Sequence, residues 1–132
     1  MATRQLFGFV IFMALWAGLV PVSAQEAITR TELRRTDLTG SPTSEVVMTV
    51  LEARPGAMMP RHIHHGDEFL YVLQTGTIQA PGQPPMRLET GASLHFAREV
   101  PHGGFTVVGE ATVKVLTVHI VDKNRPLTEL VP

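Results

Sequence analysis

The sequence predicts an all-β domain, an antiparallel barrel or sandwich, and three observations predict it. Short runs rich in Val, Leu, Met, Thr and Phe follow one another through residues 45–121. Gly- and Pro-bearing turn signals separate them at intervals of roughly 8 to 12 residues, the rhythm of antiparallel sheets. No apolar period of 3.6 persists beyond residue 24 for long enough to compete as a helix. The 132 residues leave room for one such domain, and neither an internal repeat nor a low-complexity tract interrupts it.

Residues 1–24 stand apart from that pattern. Arg4 precedes an uncharged run from Leu6 to Val20, Pro21 ends it, and Val22-Ser23-Ala24 has the small-x-small form of a cleavage site. The expectation is a signal peptide cut after Ala24, a periplasmic or secreted product spanning 25–132, and no stable membrane anchor after cleavage. The run is shorter than the roughly 20 residues of a spanning helix, and no basic stop-transfer cluster follows it. With no cysteine in the chain, a lipoprotein anchor and disulfide staples are both excluded.

The strand-forming runs are then read in order. Glu45 to Arg54 ends at the Pro55-Gly56 turn, and Phe69 to Leu73 stops at Thr75-Gly76. Thr77 to Ala80 and Met86 to Glu89 flank Pro81-Gly82-Gln83-Pro84-Pro85, which reads as a hairpin loop. Thr90-Gly91 leads into Ala92 to Ala97, and Gly109-Glu110 parts Phe105 to Val108 from Ala111 to Val121. Gln25 to Ala27 and Asn124 to Pro132 read as loose ends. Lys and Arg number 11 against 12 Asp and Glu, and only Arg34-Arg35 are adjacent, so no basic stripe for nucleic acid is present.

The chemistry is concentrated in Gly56 to Gly76. His62 and His64 alternate with Ile63, so in an extended segment both imidazoles face one side. Glu68 follows across a short bend at Gly66-Asp67 and can add an oxygen donor, and His102 in Pro101-His102-Gly103-Gly104 must arrive from elsewhere in the fold. Imidazole and carboxylate without thiolate suit Fe(II), Mn(II), Ni(II), Zn(II), Cu(II) or Co(II). No Ser-His-Asp elbow, phosphate loop or His-Glu-x-x-His motif competes.

Gly56, five residues, His62-x-His64, three residues, Glu68, then Gly76 resembles the first motif of the cupins, and Gly91 with Pro101-His102 resembles their second. The resemblance runs from about Glu45 to Val121. It implies a double-stranded β-helix, a small jelly-roll barrel, with one divalent metal on His62, His64, Glu68 and His102. It also implies a homodimer as a common assembly. The sequence departs from the pattern at three points: seven residues rather than six part Glu68 from Gly76, predicting a bulge; Ala92 stands where an acidic residue is common; and Thr106 stands where asparagine is usual.

The remaining polar residues have plainer readings. His65 alternates away from the ligands and reads as exposed or supporting, His95 as a surface or interface residue, and His119 as a hydrogen-bonded structural histidine that lines the barrel mouth at most. Arg61 and Arg98 read as surface charges, either of which can meet a substrate carboxylate. Four protein ligands leave coordination positions open for a small organic molecule or dioxygen. Two function classes therefore stay open: a metal-dependent dioxygenase, isomerase, decarboxylase or lyase with no identifiable protein base, or a module that binds metal or a small ligand without turnover.

Overall fold

A computed structural model describes residues 27–132, and the expected signal peptide lies outside them. The described residues form eleven strands: β1 (Ile28–Asp37), β2 (Ser44–Ala53), β3 (Met58–Met59), β4 (His62–Ile63), β5 (Gly66–Gln74), β6 (Gly76–Gln79), β7 (Met86–Leu88), β8 (Ser93–Phe96), β9 (Phe105–Val108), β10 (Val113–Asp122) and β11 (Glu129–Leu130). Among them no helix is long and apolar enough to cross a membrane.

Alternation decides which side chains go inside. In β2 and β10 every second residue is buried, Val47, Thr49, Leu51 and Ala53 in one and Val113, Val115, Thr117, His119 and Val121 in the other. A five-stranded sheet in the order β1-β2-β10-β5-β8 faces a four-stranded sheet in the order β3-β9-β6-β7, and β4 pairs separately with β11. All pairings are antiparallel. The facing surfaces close over Leu51, Val72, Ile78, Val107, Val113 and Val115, the core of a jelly-roll barrel. Each such side chain contributes about 1.5–3 kcal/mol by leaving water.

Two details position the site. Gly66 opens β5 where a Cβ would fall 2.0 Å from the Ile120 carbonyl oxygen, so only glycine lets β5 lie against β10 there. That contact sets Glu68 opposite His119. Further along, the β5–β10 register passes from Val72 to Gln74 and skips Leu73, an irregularity in the interval where one extra residue was noted.

Three segments differ from the sequence reading. β1 was not anticipated, because Thr31 to Asp37 are all exposed and no alternation shows; it is a charged edge strand paired to β2 and shifted in register between Glu32 and Arg34. The tail read as loose is partly ordered, since Glu129 and Leu130 pair with Ile63 and His62. Gly66-Asp67 is not a bend but the start of β5.

Candidate metal centre

His62 and His102 are joined by a two-residue antiparallel bridge, each amide donating to the other's carbonyl at 2.9 Å. This bridge brings the two motifs together. The imidazoles of His62, His64 and His102 then lie with ring centroids 4.3–5.0 Å apart, and each offers a nitrogen within 4.8 Å of the others. All three share one tether. His62 Nδ1–H donates to the Pro60 carbonyl at 2.8 Å, His102 Nδ1–H to the Val100 carbonyl at 2.9 Å, and His64 Nδ1–H to the Leu127 carbonyl. Because a carbonyl can only accept, Nδ1 carries the proton in each ring, and in the neutral tautomer the lone pair sits on Nε2.

Small supports hold this arrangement. Gly103, at φ 80°, leaves the space beside His62 and Pro60, where a Cβ would meet the Pro60 oxygen at 2.5 Å. Phe96 stacks on His102 with centroids 4.1 Å apart. Glu99 adopts a left-handed φ of 59°, which costs energy in a non-glycine residue, and its amide caps the His64 carbonyl at 3.0 Å.

Glu68, 5% exposed, meets this group at His64 and His102 rather than at His62. Its Oε2 lies 2.9 Å from His102 Nε2 and 3.1 Å from His64 Nε2. Burial alone would raise the Glu68 pKa, but the His102 and His64 nitrogens set against its Oε2 hold it well below the usual carboxylate range. Burial would likewise lower the His102 pKa, and its hydrogen bonds to Glu68 and Val100 more than offset that. Burial lowers the His62 pKa, against its bond to Pro60. The result is an anionic oxygen facing imidazole nitrogens in a buried place, a donor set that could hold a divalent cation.

His119 belongs to this neighbourhood, and the sequence reading underrated it. It is 0% exposed, its ring lies 4.6 Å from that of His64, and His64, Glu68 and His119 form a second group of donors within 4.8 Å of one another. Its Nε2 lies 2.9 Å from Thr117 Oγ1 and 3.9 Å from Glu68 Oε1. Thr117 in turn meets Thr49 at 2.7 Å, and Arg30 donates to Thr49 at 3.2 Å. Desolvation lowers the His119 pKa to about 3, so the ring is neutral. Its Nδ1 has no hydrogen-bond partner among the described residues. The available signal was the alternation of Val115, Thr117, His119 and Val121, which turns all four inward.

The other singled-out residues serve elsewhere. His65 is buried rather than exposed, in contact with Glu129 at 2.8 Å, Arg125 at 2.8 Å and Glu99 at 3.5 Å, and so clamps the C-terminal segment. His95 is exposed and stacks on Phe69. Arg98 is held by the Asp122 carboxylate through both guanidinium nitrogens, and Arg61 is exposed.

A cavity of about 790 Å³ opens beside His62 and His102, which form part of its wall. Its other lining side chains are apolar except Gln83 and Arg87.

Among solved structures, the DMSP lyase DddQ of Ruegeria pomeroyi aligns with TM-score 0.58 and 18% identity over 86% of this chain and 56% of its own. The present chain thus spans little more than half of that protein. The polyketide cyclase RemF of Streptomyces resistomycificus aligns with TM-score 0.55 and 27% identity, over 81% of this chain and 72% of its own. A Klebsiella pneumoniae protein with a double-stranded β-helix domain aligns with TM-score 0.58 and 17% identity, over 86% and 90%. No curated protein matches the sequence. The cupin domain family matches residues 49–119, which include His62, His64, Glu68, His102 and His119, and by that match, with the barrel and its bridged histidine motifs, the chain belongs to the cupins.

Proposed function

We propose that this cupin holds one divalent transition metal on His62, His64, Glu68 and His102 and acts on a small organic molecule in the adjoining cavity. The observation that carries this reading is the shared form of tether: three separate backbone carbonyls take the Nδ1 protons, so Nε2 is the nitrogen each ring keeps for a metal, which at His102 would replace the proton now given to the buried Glu68. When bound, a divalent metal there supplies Lewis-acid polarisation or, if redox-active, a place for dioxygen. The chain's own part is to present the nitrogens, to supply the negative charge of Glu68, and to exclude water with the apolar wall. The titratable side chains on that wall are His62, His102 and Arg87, and Arg87 is paired to Glu89 at 2.5 Å. Among the described residues the wall offers no carboxylate, so the reading keeps the metal at the centre of an oxygenase, isomerase, decarboxylase or lyase reaction. The same observation favours a second reading, a module that binds metal or ligand without turnover.

Elemental analysis of tag-free protein tests the site: about one first-row metal per chain is expected, with thermal stability falling on chelation, since a ligand of the folded state alone adds to its stability. Trace metal and no stabilisation by any divalent ion would remove it. An oxygen-uptake screen against small enols, diketones and phenols separates enzyme from binder. We further propose that the protein is exported and dimeric. Mass spectrometry of the exported fraction is expected to find an N-terminus at Gln25, and light scattering twice the chain mass.

A further inference from the structure

We infer that the cavity takes a molecule whose body is uncharged and hydrocarbon, with its polar end turned to His62 and His102. The inference rests on the metal reading for the polar end only. At about 790 Å³ the space lies within the range that encloses drug-sized ligands. Its wall is drawn from both sheets: Leu51, Leu70 and Val115 from the five-stranded sheet, and Ile78, Leu88 and Phe105 from the four-stranded one. Only four lining side chains are polar, and they lie in two places. His62 and His102 mark the metal end, while Gln83 and Arg87 belong to the β6–β7 hairpin.

Charge argues the same way. An ionic group placed against Leu51, Ile78 and Val115 would lose its hydration and meet no partner, a cost of several kcal/mol. Arg87, the one formally charged side chain on the wall, is ion-paired with Glu89, and both are exposed, so an anionic body would have to displace that carboxylate to gain a partner. A hydrocarbon body gains on every surface it touches. The polar end must then be small, because His62 and His102 are the only polar side chains at that end of the wall.

A matched pair of fluorescent probes tests this on the purified protein, with and without chelator. N-phenyl-1-naphthylamine is uncharged; 1-anilinonaphthalene-8-sulfonate carries the same rings with a sulfonate. The neutral probe is expected to bind with a stoichiometry of one and at least tenfold more tightly than the sulfonate. Met86 lines the cavity and is 53% exposed, so Met86→Glu should fold, as circular dichroism checks, and should weaken the neutral probe at least tenfold. Phe69, 46% exposed on the outer face of the five-stranded sheet, is the control for adventitious binding there, and Phe69→Glu should leave affinity unchanged.

Equal or tighter binding of the sulfonate would overturn the inference, as would loss of the neutral probe in Phe69→Glu but not in Met86→Glu, or no binding by natively folded protein. The metal reading is scored separately. Protein that carries metal yet refuses the neutral probe keeps the metal centre and loses the apolar ligand; protein without metal that binds the probe in the cavity does the reverse.

Discussion

Four histidines gather around Glu68, but they are held in two different ways. His62, His64 and His102 each give Nδ1–H to a backbone carbonyl, whereas His119 is tied through Nε2 to the hydroxyl of Thr117, itself bonded to Thr49, and to the guanidinium of Arg30. A carbonyl has one role and moves only with the main chain, so the first three rings have a defined tautomer and a lone pair to offer. His119 is fixed by a side chain instead: Arg30 can only donate, so its contact at 3.5 Å makes Nε2 an acceptor and leaves the proton on Nδ1. Burial differs as well: His102 stands beside the cavity, while His119 is sealed from solvent. The three rings proposed to hold a cation are held by backbone; the ring behind them is held by side chains and packed as part of the core.

The sharpest way to break this contrast is to delete the backbone-tethered rings one at a time. His62→Ala, His64→Ala and His102→Ala are each expected to lower metal affinity by more than a hundredfold, read by titration and elemental analysis, while circular dichroism stays that of a β barrel. Outer partners of metal ligands are commonly worth 10–100-fold, and a lost ligand should exceed that. His65→Ala should leave metal content unchanged, because its contacts are with Glu99, Arg125 and Glu129. Equal metal content in all four variants would erase the distinction.

Glu68→Gln probes the shared centre of both groups. It keeps the size and removes the anion, so affinity is expected to fall by about 10–100-fold rather than vanish. If turnover exists, it should fall further than metal content does.

Stability against pH isolates His119 in chelated protein. Its folded pKa is about 3, against about 6.5 in an unfolded chain. Between those values the unfolded state binds more protons, so stability falls as pH drops below about 6.5, by up to about 1.4 kcal/mol per pH unit from this one group. Glu68, also depressed, adds a loss of the same sign only below about 4.3. His102 works oppositely: its raised pKa contributes stability at low pH that disappears as pH rises through the folded value. Denaturant melts of His119→Gln and wild type between pH 7 and 4.5 should therefore converge as the pH falls. Parallel curves would show that His119 does not titrate as a buried neutral ring.

The smallest effect is expected at Thr117. Thr117→Val should cost about 1 kcal/mol of stability by removing the hydroxyl that bonds both Thr49 and His119, which keep only their contacts with Arg30, with less than tenfold change in metal affinity. A larger change in metal than in stability would move His119 from the supporting set to the ligand set.

Much of this was legible in the chain. Runs of Val, Leu, Met and Thr bounded by Gly- and Pro-bearing turns placed β2 and β10 to within two residues, because strands that bury one face are rich in such side chains. Alternation put His62 and His64 on one side, since neighbours in an extended chain share a face at every second residue, whereas Glu68 was brought in by a bend that the structure replaces with the start of β5. Where no face is buried, nothing is written: from Thr31 onward β1 is polar except for the exposed Leu33, and it is a strand only because β2 offers it an edge. β11 likewise exists only against β4.

The sequence by itself thus determined the barrel, through its strand-forming runs and turns, the family, through its motif spacing, and the shared face of His62 and His64, all of them local features of the chain. The tertiary structure decided the rest. It brought His102 across to His62 through a two-residue bridge and gave His64 its partner from Leu127, far along the chain. It also buried His119 opposite Glu68 and opened the apolar cavity beside His62. Each depends on which strands lie side by side, and that is settled by packing two sheets over one core rather than by any residue's neighbours in sequence.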